Sequence, residues 1–205
     1  MLDFYNTKIF YPLMNRRLGK AQILRLRQET LLPAYGEILE IGLGSGLNLA
    51  CYPAKVHSIT AIDVVPSDRL PLDAGIQIQF QLMSAEKLNF PDASFDCVVS
   101  TFTLCSIPAV HAALAEIYRV LKPQGKFIFL EHGRSANKWM GAMQDLLNPF
   151  YNLLACGCNI NRDVLEMITS SGFSMVSPRV TLCGLPFSGL YFSGVAIKKE
   201  PNVEN

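Results

Sequence analysis

Charge is scarce in this sequence: only 17% of its 205 residues are Asp, Glu, Lys or Arg, and the formal net charge is +1. So even a balance argues against a nucleic-acid partner, because phosphate-backbone binding depends on clustered cationic side chains. Histidine is limited to His57, His111 and His132, and the cysteines at 51, 97, 105, 156, 158 and 183 form no C-x-x-C pair. Without recognisable zinc-ligand spacing, no metal site is expected. The cysteines read as reduced thiols of a cytoplasmic protein. Cys156-Gly157-Cys158 stands apart, either as a redox or substrate-adjacent pair or as ordinary helix-end residues. Uninterrupted apolar runs are missing too. The uncharged stretches Cys97 to Ala115 and Val180 to Ile197 are broken by Pro108 and by Gly184, Pro186, Gly189 and Gly194, so neither reads as a membrane span. The first residues include Asp3, Asn6 and Lys8 with no apolar h-region, so no signal peptide is expected. Repeats and low-complexity segments are also lacking.

What is present is half hydrophobic, enough for one domain with a single core. Helices precede Pro33. Strands are expected at about 37 to 41, 57 to 62, 76 to 82, 95 to 101 and 126 to 131. A helix begins at about Leu47, another runs from an N-cap at Ser106 to Leu121, and the crossover from Val64 to Gly75 is shortened by Pro66 and Pro71. Phe173 to Leu182 and Gly189 to Lys198 follow without a helix between them and should pair as a hairpin. Alternation of this kind gives an α/β fold with a doubly wound parallel sheet. The single domain 1–205 divides into N-terminal lid helices (1–34), a core (35–199) and a frayed tail (200–205).

Chemistry concentrates at two strand tips. Glu40-Ile41-Gly42-Leu43-Gly44-Ser45-Gly46 follows one apolar run, and Asp63 closes the next. Glycine admits positive φ and close backbone approach to a ligand, and Asp63 offers two oxygens to a pair of ribose hydroxyls. The glycines run G-x-G-x-G with Glu40 two residues earlier, whereas dinucleotide dehydrogenases show G-x-G-x-x-G. Two further stretches follow in order: Ser84-Ala85-Glu86-Lys87-Leu88-Asn89-Phe90 with Pro91-Asp92-Ala93-Ser94-Phe95-Asp96, and Arg119-Val120-Leu121-Lys122-Pro123-Gln124-Gly125 before Lys126-Phe127-Ile128-Phe129-Leu130. From about Ile38 to Ile197 the chain resembles class I S-adenosylmethionine-dependent methyltransferases of the type 11-like kind. Within that family it is similar to small alkyl-thiol methyltransferases and bacterial phospholipid N-methyltransferases. That likeness rests on Gly46-Leu47-Asn48 with Tyr52-Pro53, Thr103-Leu104-Cys105-Ser106, Glu131-His132 and Gly157-Cys158-Asn159.

The resemblance implies a Rossmann-like seven-stranded sheet in the order 3-2-1-4-5-7-6 with strand seven antiparallel. It also implies S-adenosylmethionine as cofactor, S-adenosylhomocysteine as product, and a small, apolar acceptor: a thiol, amine, lipid headgroup or quinone-like ring. Glu40, Gly42, Gly44, Gly46 and Asn48 would surround the methionine end, Asp63 the ribose, and Val64 with Ser84, Ala85 and Glu86 the adenine. Ser84 stands where the family often has aspartate. Thr101 and Phe102, at the tip of the fourth strand, would complete the crevice. His132 is the candidate catalytic base, with Glu131 orienting it or touching substrate; both reach one site only if the strand has ended there. The alternatives are a nicotinamide-dependent oxidoreductase and a cofactor-binding protein without transferase activity.

Residues 1–30 hold six basic side chains, Lys8, Arg16, Arg17, Lys20, Arg25 and Arg27, against Asp3 and Glu29. Interleaved with Phe4, Tyr5, Phe10, Tyr11, Leu13, Met14 and Leu18, they suit either a lid over the cofactor or a peripheral contact with anionic lipid, and the two can coexist. Lys138 to Tyr151, with Trp139, Met140, Met143, Leu146, Leu147, Phe150 and Tyr151, suits a substrate-covering element or an amphipathic helix with a core stripe.

Overall fold

The computed structural model describes residues 9–66, 76–182 and 190–198. Helices α1 (Tyr11–Leu18) and α2 (Ala21–Leu31) come first. They are followed by β1 (Gly36–Ile41), β2 (Val56–Asp63), β3 (Gln77–Leu82), β4 (Phe95–Thr101), α3 (Val110–Val120), β5 (Leu121–His132), α4 (Lys138–Leu154), α5 (Val164–Ser170), β6 (Phe173–Met175), β7 (Arg179–Leu182) and β8 (Leu190–Lys198). Strands β1 to β5 pair in parallel, and the sheet runs β3-β2-β1-β4-β5-β8-β6, with β8 antiparallel to β5 and β7 also on β8. The expected order is therefore present with eight strands in place of seven. The stretch expected as one strand, Phe173 to Leu182, is two. Met175 opposes Ala196 and Arg179 opposes Ser193, four steps against three, so one extra residue is accommodated around Pro178, which has no N–H for a ladder bond. The turn of that hairpin, with Gly184, Pro186 and Gly189, lies outside the described residues, as do Pro71, Gly75, Cys183, residues 1–8 and the tail from 199.

Two apolar clusters cover the two faces of the sheet. One joins Leu39, Val98, Phe127 and Phe129 to Leu114 and Ile117 of α3 and to Ile168 of α5. The other joins Ile38, Ile59, Val99 and Ile128 to Leu31 of α2 and Leu49. With both faces covered, the central strands read as near-continuous apolar runs, which is why they were visible in the sequence. Arg119 ties the 84–95 segment down, donating to the carbonyls of Leu88 and Phe90 and to the carboxylates of Glu116 and Asp92.

Two expected helices differ. No α-helix starts at Leu47; only a 3₁₀ turn, Leu49–Cys51, forms. Tyr52 precedes Pro53 and is held extended (φ −70°, ψ 137°), which ends the turn before a helix can propagate. The helix expected from Ser106 starts at Val110, two residues past Pro108, and ends at Val120.

Candidate active site

All the strand tips that matter open into one cavity of about 400 Å³. Of the residues expected around the cofactor, Gly42, Gly44, Asn48, Asp63 and Val64 line it from β1, β2 and the turns after them. Ser84, Ala85, Thr101 and Phe102 line it from the other side. Gly42 and Gly44 have φ of +74° and +55°. A side chain at Gly42 would collide with Thr103, whereas the space above Gly44 is open, as a backbone that meets a ligand requires. Asp63 accepts from Gly44 N at 2.9 Å and from Val65 N at 3.1 Å, so its carboxylate is fixed at the cavity wall with lone pairs to spare.

Four expected residues sit behind the wall or away from it. Glu40 is fully buried and accepts from Asn48 Nδ2 at 2.9 Å and Tyr52 OH at 3.0 Å. Gly46 shapes the turn at φ +74°. Glu86 faces the start of α3, accepting from Ala109 N at 2.7 Å. Glu131 does not orient His132: β5 continues through His132, so the two side chains leave opposite faces of the strand. Glu131 Oε1 instead accepts from Ser100 Oγ, Thr103 N and Leu104 N at 2.8, 3.0 and 3.1 Å, anchoring the loop after β4. Burial, with the Cys105 thiolate nearby, pushes its carboxyl up to about 7.

Arg27, which the sequence supplied only as one charge among six near the N-terminus, turns out to be central. It reaches from α2 into the cavity wall, 4% exposed. One guanidinium nitrogen, Nη1, donates to Asn48 Oδ1 at 2.6 Å and to Thr101 Oγ1 at 2.7 Å, while Nε is buried with no partner. Burial lowers its pKa, although Glu40 and other acids nearby pull the other way. Glu40, in turn, is pushed up to about 7 by burial, against the pull of Tyr52, Asn48 and Arg27. Asn48 is thus a strut between Glu40, Arg27 and Thr101, not a free ligand of its own. The 3₁₀ turn is too short to present a helix dipole, and a positive charge in this part of the wall comes from Arg27. Phe102, at φ +55°, packs its ring under this guanidinium at 5.1 Å and edge-on to Tyr191 at 5.0 Å. Left-handed backbone at a bulky residue costs about 1–2 kcal/mol and persists where surrounding structure over-determines it.

At the far end His132 reaches the cavity beside Cys105 and Cys158. Its Nε2 lies 3.1 Å from Cys158 Sγ, and its Nδ1 is buried without a partner. Hydrogen bonding from Cys158 outweighs burial and, with the imidazole beside it, holds the Cys105 thiol well below its usual range; Cys158 is correspondingly raised. Burial would lower the imidazole, but the Cys105 thiolate reverses the sign and raises it. Helix α1 closes the opening: Tyr11, Met14, Asn15 and Leu18 line the cavity, and Ser45 Oγ donates to Asn15 Oδ1 at 2.9 Å. Burial and the Cys156 thiol push the Tyr11 hydroxyl up to about 12. Helix α4 contributes only Tyr151; its Trp139, Leu146, Phe150 and Leu153 are exposed, so the expected core stripe is absent. His57, Cys51 and Cys97 do not line this cavity.

With this geometry in hand, comparison with known proteins is specific. A family model described as a methyltransferase domain matches residues 39–129. Human thiol S-methyltransferase TMT1A is 34% identical over 146 residues, covering 67% of this chain and 59% of the relative. This chain therefore spans about three-fifths of that protein's length. The ubiquinone/menaquinone biosynthesis C-methyltransferase UbiE of Rickettsia bellii is 32% identical over 189 residues, covering 82% of this chain and 71% of the relative. Among solved structures, Burkholderia thailandensis 1,6-didemethyltoxoflavin-N1-methyltransferase, with bound 1,6-didemethyltoxoflavin and S-adenosylhomocysteine, superimposes with a TM-score of 0.70 at 20% identity, covering 97% of this chain and 86% of that one. A glycine turn, an acid at the second strand tip and relatives that agree over most of the chain lead to one conclusion: the chain belongs to the family of S-adenosylmethionine-dependent methyltransferases.

Proposed function

We propose that this chain methylates a small, apolar acceptor held between α1 and the end of β5. S-Adenosylmethionine, bound over the glycine turn, supplies the methyl group on a sulfonium that is already a good leaving group. The single observation that carries this reading is the guanidinium of Arg27, a cation in the wall of the cofactor cavity whose Nη1 bonds the neutral side chains of Asn48 and Thr101. A buried cation with no carboxylate bonded to it among the described residues is costly, and the methionine carboxylate is the group whose charge fits it. Asp63, two strands away, takes the ribose hydroxyls; Val64, Ser84 and Ala85 frame the adenine, with one hydroxyl where a carboxylate is common. Gly42 and Gly44 let the backbone approach, Asn48 and Glu40 keep Arg27 aimed, and Phe102 packs beside the adenosyl group.

Beyond the methyl group the cavity is walled by Tyr11, Met14, Leu18, Ile107 and Tyr191, a lining that suits an apolar body better than a charged one. Catalysis needs chiefly that the acceptor atom stand about 3–3.5 Å from the methyl carbon, in line with the breaking bond. His132 is the only histidine in that wall and takes the proton of an acceptor that must lose one. Helix α1 acts as the lid. Its outward Leu13 and Arg16, with Ile9 just before the helix and Lys20 just after it, are placed for a peripheral lipid contact that would bring apolar acceptors to the opening. The test is calorimetry with S-adenosylmethionine and S-adenosylhomocysteine, followed by turnover on thiols, amines, phenols and quinols. No binding at millimolar ligand removes the reading; binding with no turnover leaves a cofactor-binding protein without transferase activity.

A further inference from the structure

Cys105, His132 and Cys158 come from three separate places: the loop after β4, the end of β5 and the loop after α4. Yet their Sγ and imidazole nitrogen atoms all lie within 4.8 Å of one another. In a tetrahedral site with bonds of about 2.3 Å to sulfur and 2.0–2.1 Å to nitrogen, ligand atoms stand roughly 3.5–3.8 Å apart. Cys158 Sγ and His132 Nε2, at 3.1 Å, need to spread by only a few tenths of an ångström to admit an ion.

The positions are held from outside the cluster. Asn159 N and Nδ2 both donate to the Cys105 carbonyl, at 2.9 and 3.0 Å, and Arg162 donates to the Leu104 carbonyl, so the 156–162 loop is stitched to the segment that carries Cys105. Cys156 and Gly157 have φ of +52° and +81°, a local bend that aims Cys158 inward. Support of this kind is what fixes metal ligands in place. All three side chains also line the cofactor cavity, which leaves a fourth direction open.

We propose that Cys105, His132 and Cys158 form a three-ligand site for a thiophilic d¹⁰ cation, zinc above others, whose open fourth position takes the sulfur of a thiol acceptor. Two thiolates, one neutral imidazole and a divalent cation sum to no net charge, which suits the apolar surroundings. Soft sulfur and imidazole ligands select such ions over magnesium or calcium. Three protein ligands with one position free is the arrangement of zinc sites that handle substrate. On coordination the acceptor's S–H proton passes to solvent. In the transfer its sulfur forms the new S–CH₃ bond as the sulfonium C–S bond breaks, and the neutral thioether is a poorer ligand and leaves. With the ion bound, His132 is a ligand and no longer a base. The inference rests on the proposed cofactor cavity for where the methyl lies, and it narrows the acceptor to thiols.

The experiment is cobalt(II) titration of the full chain, purified with reductant and chelator and then desalted. About one equivalent should bring a sulfur-to-cobalt charge-transfer band and intense tetrahedral d–d bands. Zinc should displace both. A small apolar thiol should then shift the d–d bands, while a phenol or amine of similar size leaves them unchanged. Cys158→Ser and His132→Ala should each abolish stoichiometric binding, and Cys156→Ser should retain it. S-Adenosylhomocysteine calorimetry on each variant confirms that the fold and cofactor cavity persist. A wild type that binds S-adenosylhomocysteine but develops no cobalt–thiolate band, or variants that bind cobalt as tightly as wild type, overturn the metal site and leave the proposed function standing. A band that no thiol shifts overturns the acceptor half. Loss of S-adenosylhomocysteine binding in the wild type would instead sink the cofactor reading, with the cobalt result read independently.

Discussion

Replacing Arg27 by methionine removes the guanidinium but keeps an unbranched stem over Phe102. In the free protein, Thr101 Oγ1 keeps its bond from Asn48 Nδ2, whereas Asn48 Oδ1 loses its 2.6 Å donor and becomes a buried, unpaired acceptor. That costs about 1–3 kcal/mol, tolerable for a domain of ordinary stability. In the complex the substitution removes a charge-assisted bond to the methionine carboxylate, worth about 1.5–3 kcal/mol, or a loss of about 10- to 150-fold in affinity. The assay is calorimetry with two ligands. S-Adenosylhomocysteine carries the amino-acid tail; 5′-methylthioadenosine keeps adenine, ribose and sulfur without it. Arg27→Met should weaken the first by that factor and change the second by less than about twofold. Equal weakening of both would mean that Arg27 merely supports the wall, and unchanged affinity for S-adenosylhomocysteine would refute the contact altogether.

Other perturbations separate the remaining roles. Asp63→Ala removes acceptors shared by the ribose and by Gly44 N, so it should weaken S-adenosylhomocysteine and 5′-methylthioadenosine alike, by about tenfold or more; a selective effect on one ligand would contradict the ribose assignment. Glu40 has its carboxyl raised from 4.5 to about 7 chiefly by burial, with Tyr52, Asn48, Arg27 and Asp63 around it. A raised folded pKa means that the stabilisation is complete below about 4.5 and is lost as pH rises through about 7, a fall of about 3 kcal/mol. Urea midpoints measured from pH 5 to 8 should therefore decline, and Glu40→Gln should flatten the decline without abolishing it, since Glu131 is raised into the same range; an unaltered slope would exclude Glu40 as its source. If α1 meets lipid, sedimentation with anionic vesicles should fall on Arg16→Glu with Lys20→Glu and on added salt, whereas neutral vesicles should retain little protein in either form.

The linear sequence carried the sheet and the glycine-turn end of the cavity because both are local signals. Apolar runs spaced by helical segments fix a parallel sheet, and a glycine turn that ends at one strand tip, with Asp63 at the next, is legible without knowing what lies opposite. Even locally there were errors: Pro53 restricts Tyr52 and cancels the helix after the turn, and Pro178 divides one strand in two. What the sequence could not reveal are pairings between distant positions. Arg27 meets Thr101 across 74 residues, and Asn159 meets Cys105 across 54. His132 and Cys158 were each visible, but as a strand end and half of a possible thiol pair with Cys156; the fold sends Cys156 towards Tyr11 and Cys158 to the imidazole. Glu131 looked like a partner of its neighbour until the strand continued through both and turned it to the other face. Period and turn chemistry act over a few residues and are written in order along the chain. Which buried charge faces which cavity depends on how the strands and helices are stacked, and only the packed sheet decides that.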